Sequence, residues 1–177
     1  MSTGGLDAIR APRPASLVVG VTGHRTFADL EQVQQAIESV FDRILDGVAT
    51  IVIVSSLAEG ADRLVAEMLL SRGATLEVIL PLAIDDYAED FATDESKAHF
   101  AALVAAAAAV SVVGPAPETR EHAYEMAGRA MVERSDVVMA LWDGAPSRGR
   151  GGTAEIILYA LDVETMVEVV LVDRDPA

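Results

Sequence analysis

The chain has 177 residues, 51% of them hydrophobic, a net charge of −15 and no cysteine. That length and apolar content suffice for one buried core and exclude a disordered chain. Without cysteine there is no disulfide, thiolate chemistry or cysteine-based zinc site, and so acidic a chain lacks the basic footprint of a non-specific nucleic-acid binder.

Residues 1–15, MSTGGLDAIRAPRPA, have no apolar centre and read as a flexible leader, not a signal peptide. Residues 16–177 read as a single domain. No apolar run approaches the ~20 residues of a membrane span. The expectation is a cytoplasmic protein that contacts neither membrane nor nucleic acid.

SLVVGV (16–21) is the first of six short runs rich in valine, isoleucine and leucine. It ends in VTGHR (21–25), where Gly23 permits a tight turn and His24 and Arg25 follow at the strand's end. DLEQVQQAIESVFDRIL (29–45) repeats apolar residues at three and four, the helical spacing. TIVIVSS (50–56) is the second run, and Ser55 and Ser56 lead into Glu59, Gly60, Asp62 and Arg63 at the start of a helix over 59–73. There the acids complement the helix dipole. TLEVILPL (75–82) is the third run. DDYAEDF (85–91) with Asp94 and Glu95 follows as an acidic patch, read as a solvated loop before a helix over 94–109 rather than as a cation site. VSVVG (110–114), a helix over 119–135 and DVVMALW (136–142) come next. A helix over 151–162 and the run VEVVLVD (167–173) complete the chain.

Runs that are apolar without alternation belong to strands covered on both faces. Alternated with helices, they predict a three-layer, Rossmann-like α/β fold: a mostly parallel sheet of six or seven strands with helices on both faces. The expected strand order is 3-2-1-4-5-6. In such sheets ligands bind outside the carboxyl ends of the strands. Arg25, Arg63, Arg148 and Arg150 all fall in loops at that edge, which sets them apart in a chain whose only lysine is Lys97.

PSRGRGGTAEI (146–156) leads from the fifth strand into a helix. Its glycines let the backbone approach a ligand, and Gly151, Gly152 and Thr153 sit at the helix N-terminus, where free amides and the dipole suit an anion. Arg148 and Arg150 add charge-assisted contacts. The same stretch also reads as a flexible glycine loop closed by a threonine cap. The P-loop lysine, the G-x-G-x-x-G fingerprint and the G-x-S-x-G elbow are all absent from the sequence. His24, His99 and His122 show no metal-ligand spacing, so neither metal nor cofactor is expected.

In order and spacing, VGVTGHR (19–25), SSLAEGADRLVAE (55–67), LPL…DYAEDF (80–91), AYEMAGRAMVERSDVVMALWDG (123–144) and GRGGTAEII (149–157) resemble the SLOG superfamily. That superfamily of Rossmann-like proteins includes the Lonely Guy phosphoribohydrolases and the DNA-processing proteins of natural transformation, and the chain looks most like its small bacterial members. The resemblance implies a nucleotide or NAD-derived ligand at the sheet edge and a homodimer or higher homo-oligomer. On a sensor reading, Arg25, Arg148 and Arg150, with the amides of Gly151, Gly152 and Thr153, take the phosphate. Ser55, Ser56 and Glu59 border the ribose, and Asp143 and Gly144 shape the floor beside Gly23 and His24. On the alternative reading, a nucleoside 5′-monophosphate phosphoribohydrolase, Glu155 is the catalytic carboxylate. The hydrolase motif PGGxGTxxE stands here as RGRGGTAEI: the glutamate falls two residues after Thr153, and Ile156 occupies the position three after it.

Overall fold

The computed structural model describes residues 15–114, 118–146 and 151–173. The leader expected over 1–15 lies outside them except for Ala15, as do Arg148 and Arg150. In chain order the elements are β1 (Ser16–Gly23), α1 (Leu30–Ile44), β2 (Thr50–Ser55), α2 (Ala61–Leu70), β3 (Thr75–Leu80) and α3 (Ile84–Ala88). Then come α4 (Asp94–Ala106), β4 (Ala109–Val112), α5 (Arg120–Arg134), β5 (Val137–Trp142), α6 (Thr153–Asp162) and β6 (Met166–Leu171). Side-chain oxygens start three of the helices: Asp29, Thr93 and Thr119 accept from the amides of Gln32, Ser96 and His122.

All six expected strands are present and pair in parallel as one sheet. Their order is β4-β3-β2-β1-β5-β6, not the expected 3-2-1-4-5-6. The fourth strand continues outward beyond β3, and the fifth takes the place beside β1. Burial explains the difference. Every residue of β4 is exposed, as suits an edge, whereas β5 is buried from Val137 to Leu141, as a strand covered on both faces must be.

Alternation along the strands divides the interior into two layers. Val19 and Val21 of β1 and Met139 and Leu141 of β5 join the larger cluster with Ile37 and Phe41 of α1 and Val65 and Leu69 of α2. Val138 joins Met131 and Val132 of α5 and Ile156 and Ala160 of α6 on the opposite face. Gly20 lies under α5 so closely that a Cβ there would come within 2.3 Å of Met131 Sδ and Ser135 Oγ. The glycine therefore sets how near α5 sits to the sheet.

Two segments differ from the sequence expectation. The acidic stretch after β3 is not a solvated loop: it forms α3 and buries Tyr87 and Phe91 beside Phe100. Two of its carboxylates are tied down: Arg120 donates to Asp86 Oδ1 and Asp90 Oδ1, both at 2.8 Å, and the Tyr124 hydroxyl donates to Asp90. The alanine-rich helix expected to reach residue 109 stops at Ala106, because Ala109 is already paired with Glu77 in the sheet.

Candidate functional site

The strand order reverses between β1 and β5, so their carboxyl-end loops diverge and leave a crevice between them. His24 braces its two sides. Its amide donates to Leu141 O at 3.1 Å, and its carbonyl accepts from the Ala61 amide at 3.0 Å. Its Nε2 lies 3.0 Å from both the Asp143 amide and Asp143 Oδ1. Unprotonated, that nitrogen accepts the amide hydrogen; carrying hydrogen, it donates to the carboxylate. The ring is 7% exposed, so His24 ties the two loops together rather than projecting from one of them.

Gly23 is indispensable to this junction. A Cβ there would lie 2.5 Å from Ala61 Cβ and 2.7 Å from Leu141 O. Arg25, the next residue after His24, is exposed, and its charge is felt at buried Asp62, where it favours the carboxylate. On the other side, Asp143 Oδ1 accepts from the Ala145 amide at 3.0 Å and Gly144 turns at φ +80. The Trp142 indole donates to Ala145 O at 2.8 Å, which fixes a half-buried ring at the carboxyl end of β5.

The loop from β5 to α6 is described at both ends, with residues 147–150 between them outside the described set. At its far end Gly151 has φ +75, and a Cβ there would lie 2.7 Å from the Glu125 backbone nitrogen. Gly152 occupies the N-cap of α6 with no side-chain cap, and Thr153 begins the helix. Glu155 turns back to the start of its own helix, where its Oε2 accepts from the Gly151 amide at 2.8 Å. It thus holds a negative charge at the N-terminus of α6, where the dipole favours one.

The loop from β2 to α2 differs from its sequence reading. Ser55 is fully buried; its hydroxyl donates to Asp62 Oδ2 at 3.0 Å and accepts from the Leu57 amide at 3.0 Å. The Ser56 hydroxyl donates to Ile79 O at 2.8 Å. Both serines shape the loop from within, around Leu57 at φ 57. Asp62 anchors it, and burial pushes that carboxyl up to about 6 against the bond from Ser55 and the amides of Ala58 and Ser56. A serine at the strand end and an aspartate seven residues on were visible in the sequence, but periodicity does not show that they meet.

Arg63 does not stand at the sheet edge with Arg25. It is 4% exposed, lies over the Phe91 ring at 4.3 Å, and donates from Nε to Leu57 O and from Nη1 to Ser96 O and Oγ. Burial lowers its affinity for its proton, opposed mainly by the Glu59 charge. Glu59 accepts from the Ser96 hydroxyl and lines a shallow pocket with Gly60, Arg63, Glu67 and His99, to which neither His24 nor Asp143 contributes. The structure therefore brings together Gly23, His24, Asp143 and Gly144, with Arg25 beside them. It sets Ser55 to work inside its own loop, while Ser56 ties that loop to β3 and Glu59 ties it to α4.

Among the described residues no group of histidines and acids is arranged to hold a metal, and no helix is long and apolar enough to cross a membrane. No family model and no curated protein matches the chain. Two solved structures are similar in fold. One is DNA processing protein A from Helicobacter pylori, described for its single-stranded DNA binding mode: TM-score 0.59, 20% identity, 86% of this chain and 64% of that one. The other is DNA processing protein A from Streptococcus pneumoniae: TM-score 0.58, 20% identity, 86% of this chain and 50% of that one. The chain thus spans about half to two thirds of the length of these proteins.

The likeness is one of fold, and the proteins it falls on are DNA-processing proteins. It corrects the expectations of a small-nucleotide sensor or phosphoribohydrolase and of a chain without a nucleic-acid partner. The expectation of no nucleic-acid partner leaned on the net charge, which is a property of the whole chain, whereas a nucleic acid is held by local cations and amides.

Proposed function

We propose that this chain binds single-stranded DNA across the crevice between the β1–α1 and β5–α6 loops, as a SLOG-type domain. The observation that carries the proposal is the arrangement there: exposed Arg25 on one side, the N-terminus of α6 on the other, and the His24–Asp143 brace between them. It lies at the reversal point of a sheet whose fold is shared with a protein described by its single-stranded DNA binding mode. Backbone phosphates are met by Arg25, by Arg148 and Arg150 of the intervening loop, and by the amides at Gly152 and Thr153. The Trp142 ring offers one base a stacking surface, a contact worth about 1–3 kcal/mol and indifferent to sequence. The net charge of −15 repels DNA at long range, so contact is local and confined to this edge. A cytoplasmic setting accords with a chain free of cysteine.

Fluorescence anisotropy of a labelled thymidine oligomer at low salt tests the reading. A saturable rise is expected, weaker for the same length of duplex, because a stacking ring needs an unpaired base. No rise at any attainable protein concentration, or tighter binding to duplex, would refute it.

A further inference from the structure

The contact between His24 and Asp143 holds two bonds that one nitrogen cannot make at once. Nε2 lies 3.0 Å from the Asp143 amide and 3.0 Å from Asp143 Oδ1. With a lone pair, the nitrogen accepts from the amide and repels the carboxylate. With a hydrogen, it donates to the carboxylate and repels the amide. Each state therefore holds one half of Asp143 and releases the other. Histidine is the side chain that changes charge near neutral pH.

The two sides of this contact differ in freedom. The His24 backbone is bonded at both its amide and its carbonyl, to Leu141 O and to the Ala61 amide. A Cβ on Gly60 would lie 2.4 Å from the carbonyl oxygens of both His24 and Arg25, so the β2–α2 loop closes against this side. The ring itself is buried. Asp143, by contrast, runs into Gly144, which turns at φ +80 with nothing within 4 Å of where its Cβ would stand. A change at Nε2 thus moves the turn at residues 143–145 and not the ring. Trp142 is tied to that turn, since its indole donates to Ala145 O at 2.8 Å.

We infer that His24 is a proton-driven positioning residue of the crevice: protonation at Nε2 passes its hold from the Asp143 amide to the Asp143 carboxylate, resets the turn at residues 143–145 and frees the amide for an anion. The inference rests on the DNA reading above only for what that anion is. With the ring neutral, His24 and Asp143 together carry one negative charge beside the bound phosphate. With the ring protonated they carry none. Removing a unit charge at about 6 Å is worth about threefold in affinity in bulk water, and more where water is excluded. Acid therefore tightens binding. Among the described residues, the charges that neighbour this junction include Arg25 in the same loop and Asp62 on α2, next to the Ala61 that binds the His24 carbonyl. Glu59 of the β2–α2 loop turns away to Ser96. Asp62 takes up its own proton at about 6 and feels Arg25, so the test separates its titration from that of His24.

The chain has one tryptophan, so intrinsic fluorescence reports on this turn without a label. Between pH 8 and pH 5 the Trp142 emission should pass through one transition, kept in Asp62→Asn and lost in His24→Gln. In the wild type, nuclear magnetic resonance should show the Asp143 amide moving with the same midpoint as the His24 ring, a readout that needs no variant. Anisotropy of the labelled thymidine oligomer at pH 7.5 and 5.5 should show a gain on acidification about threefold larger in the wild type than in His24→Gln. A flat emission, a transition that survives in His24→Gln or vanishes in Asp62→Asn, an Asp143 amide that titrates apart from His24, or an equal gain in the two proteins would overturn the inference. A Trp142 transition lost in His24→Gln, in a protein that binds no oligomer at either pH, would refute the DNA reading and support the switch.

Discussion

Replacing Glu155 by glutamine should tighten DNA binding while slightly weakening the fold. The Glu155 carboxylate accepts from the Gly151 amide at 2.8 Å and so occupies, with its own charge, the helix end at which a phosphate is to be held. A phosphate on the neighbouring amides would lie about 6 Å from it, where two unit charges repel by about 0.7 kcal/mol in water and up to about 3 kcal/mol at an effective dielectric near 20. Glu155 is exposed, so the lower figure governs, and the gain is about threefold in affinity. Glutamine keeps a neutral hydrogen bond to Gly151 but loses the charge–dipole term, about 0.3–1 kcal/mol of stability. Anisotropy titrations and urea unfolding of the two proteins measure both terms. Weaker DNA binding by Glu155→Gln would refute the reasoning, because the carboxylate would then be assisting the ligand rather than opposing it.

Further predictions follow from the same contacts. Arg25→Ala should weaken DNA binding about tenfold at low salt, the value of one charge-assisted contact. If Arg25, Arg148 and Arg150 each neutralise one phosphate, log K should fall against log salt with a slope of about −2, and that slope should flatten by about 0.7 in Arg25→Ala; a slope near zero would exclude phosphate contacts. The Asp62 carboxyl, pushed from 3.8 up to about 6 in the folded state, binds a proton more tightly folded than unfolded. Stability should therefore rise as pH falls from 7 through 6 toward 4, by at most about 3 kcal/mol. Asp62→Asn should flatten that rise in urea titrations at pH 7.5 and 5, and an unchanged pH dependence would exclude Asp62 as its source. Gly23→Ala should cost about 1–3 kcal/mol, because the added methyl meets the Leu141 carbonyl at 2.7 Å and the backbone cannot turn aside; an unfolding midpoint equal to wild type would contradict the close contact.

The parts of the fold that depend on local pattern were legible in the sequence. Apolar runs without alternation marked β1, β2, β3, β5 and β6, and the three-and-four spacing of Val33, Ile37, Val40 and Phe41 marked α1, whose buried face they form. Strand order was not legible, because a run such as VSVV does not state its neighbours. The exposure of Val110 and Val112 that marks β4 as an edge exists only once the sheet is assembled. Tyr87 and Phe91, the two aromatics in an otherwise acidic stretch, were the overlooked sign that α3 turns inward.

The candidate site divides in the same way. Gly23, His24, Asp143 and Gly144 were singled out because fold class alone puts the loops after the first and fifth strands at one edge, and the structure sets them side by side there. Ser55, Ser56 and Arg63 were misjudged because a polar residue in a loop reads identically whether it meets solvent or a buried partner. Here Asp62, Ile79 and Leu57 take up their hydrogen bonds. The expectation of no nucleic-acid partner rested on a charge summed over the chain, which does not say where along it the arginines fall.

Cross-linking tests the central claim most directly. A thymidine oligomer carrying 4-thiothymidine, irradiated in complex with the full chain and mapped by peptide mass, should leave its adducts on residues 24–28 and on the loop from Trp142 to Thr153. Adducts confined to other surfaces, such as the outer face of α4 or the β4 edge, or none from a complex that anisotropy shows to be saturated, would contradict it.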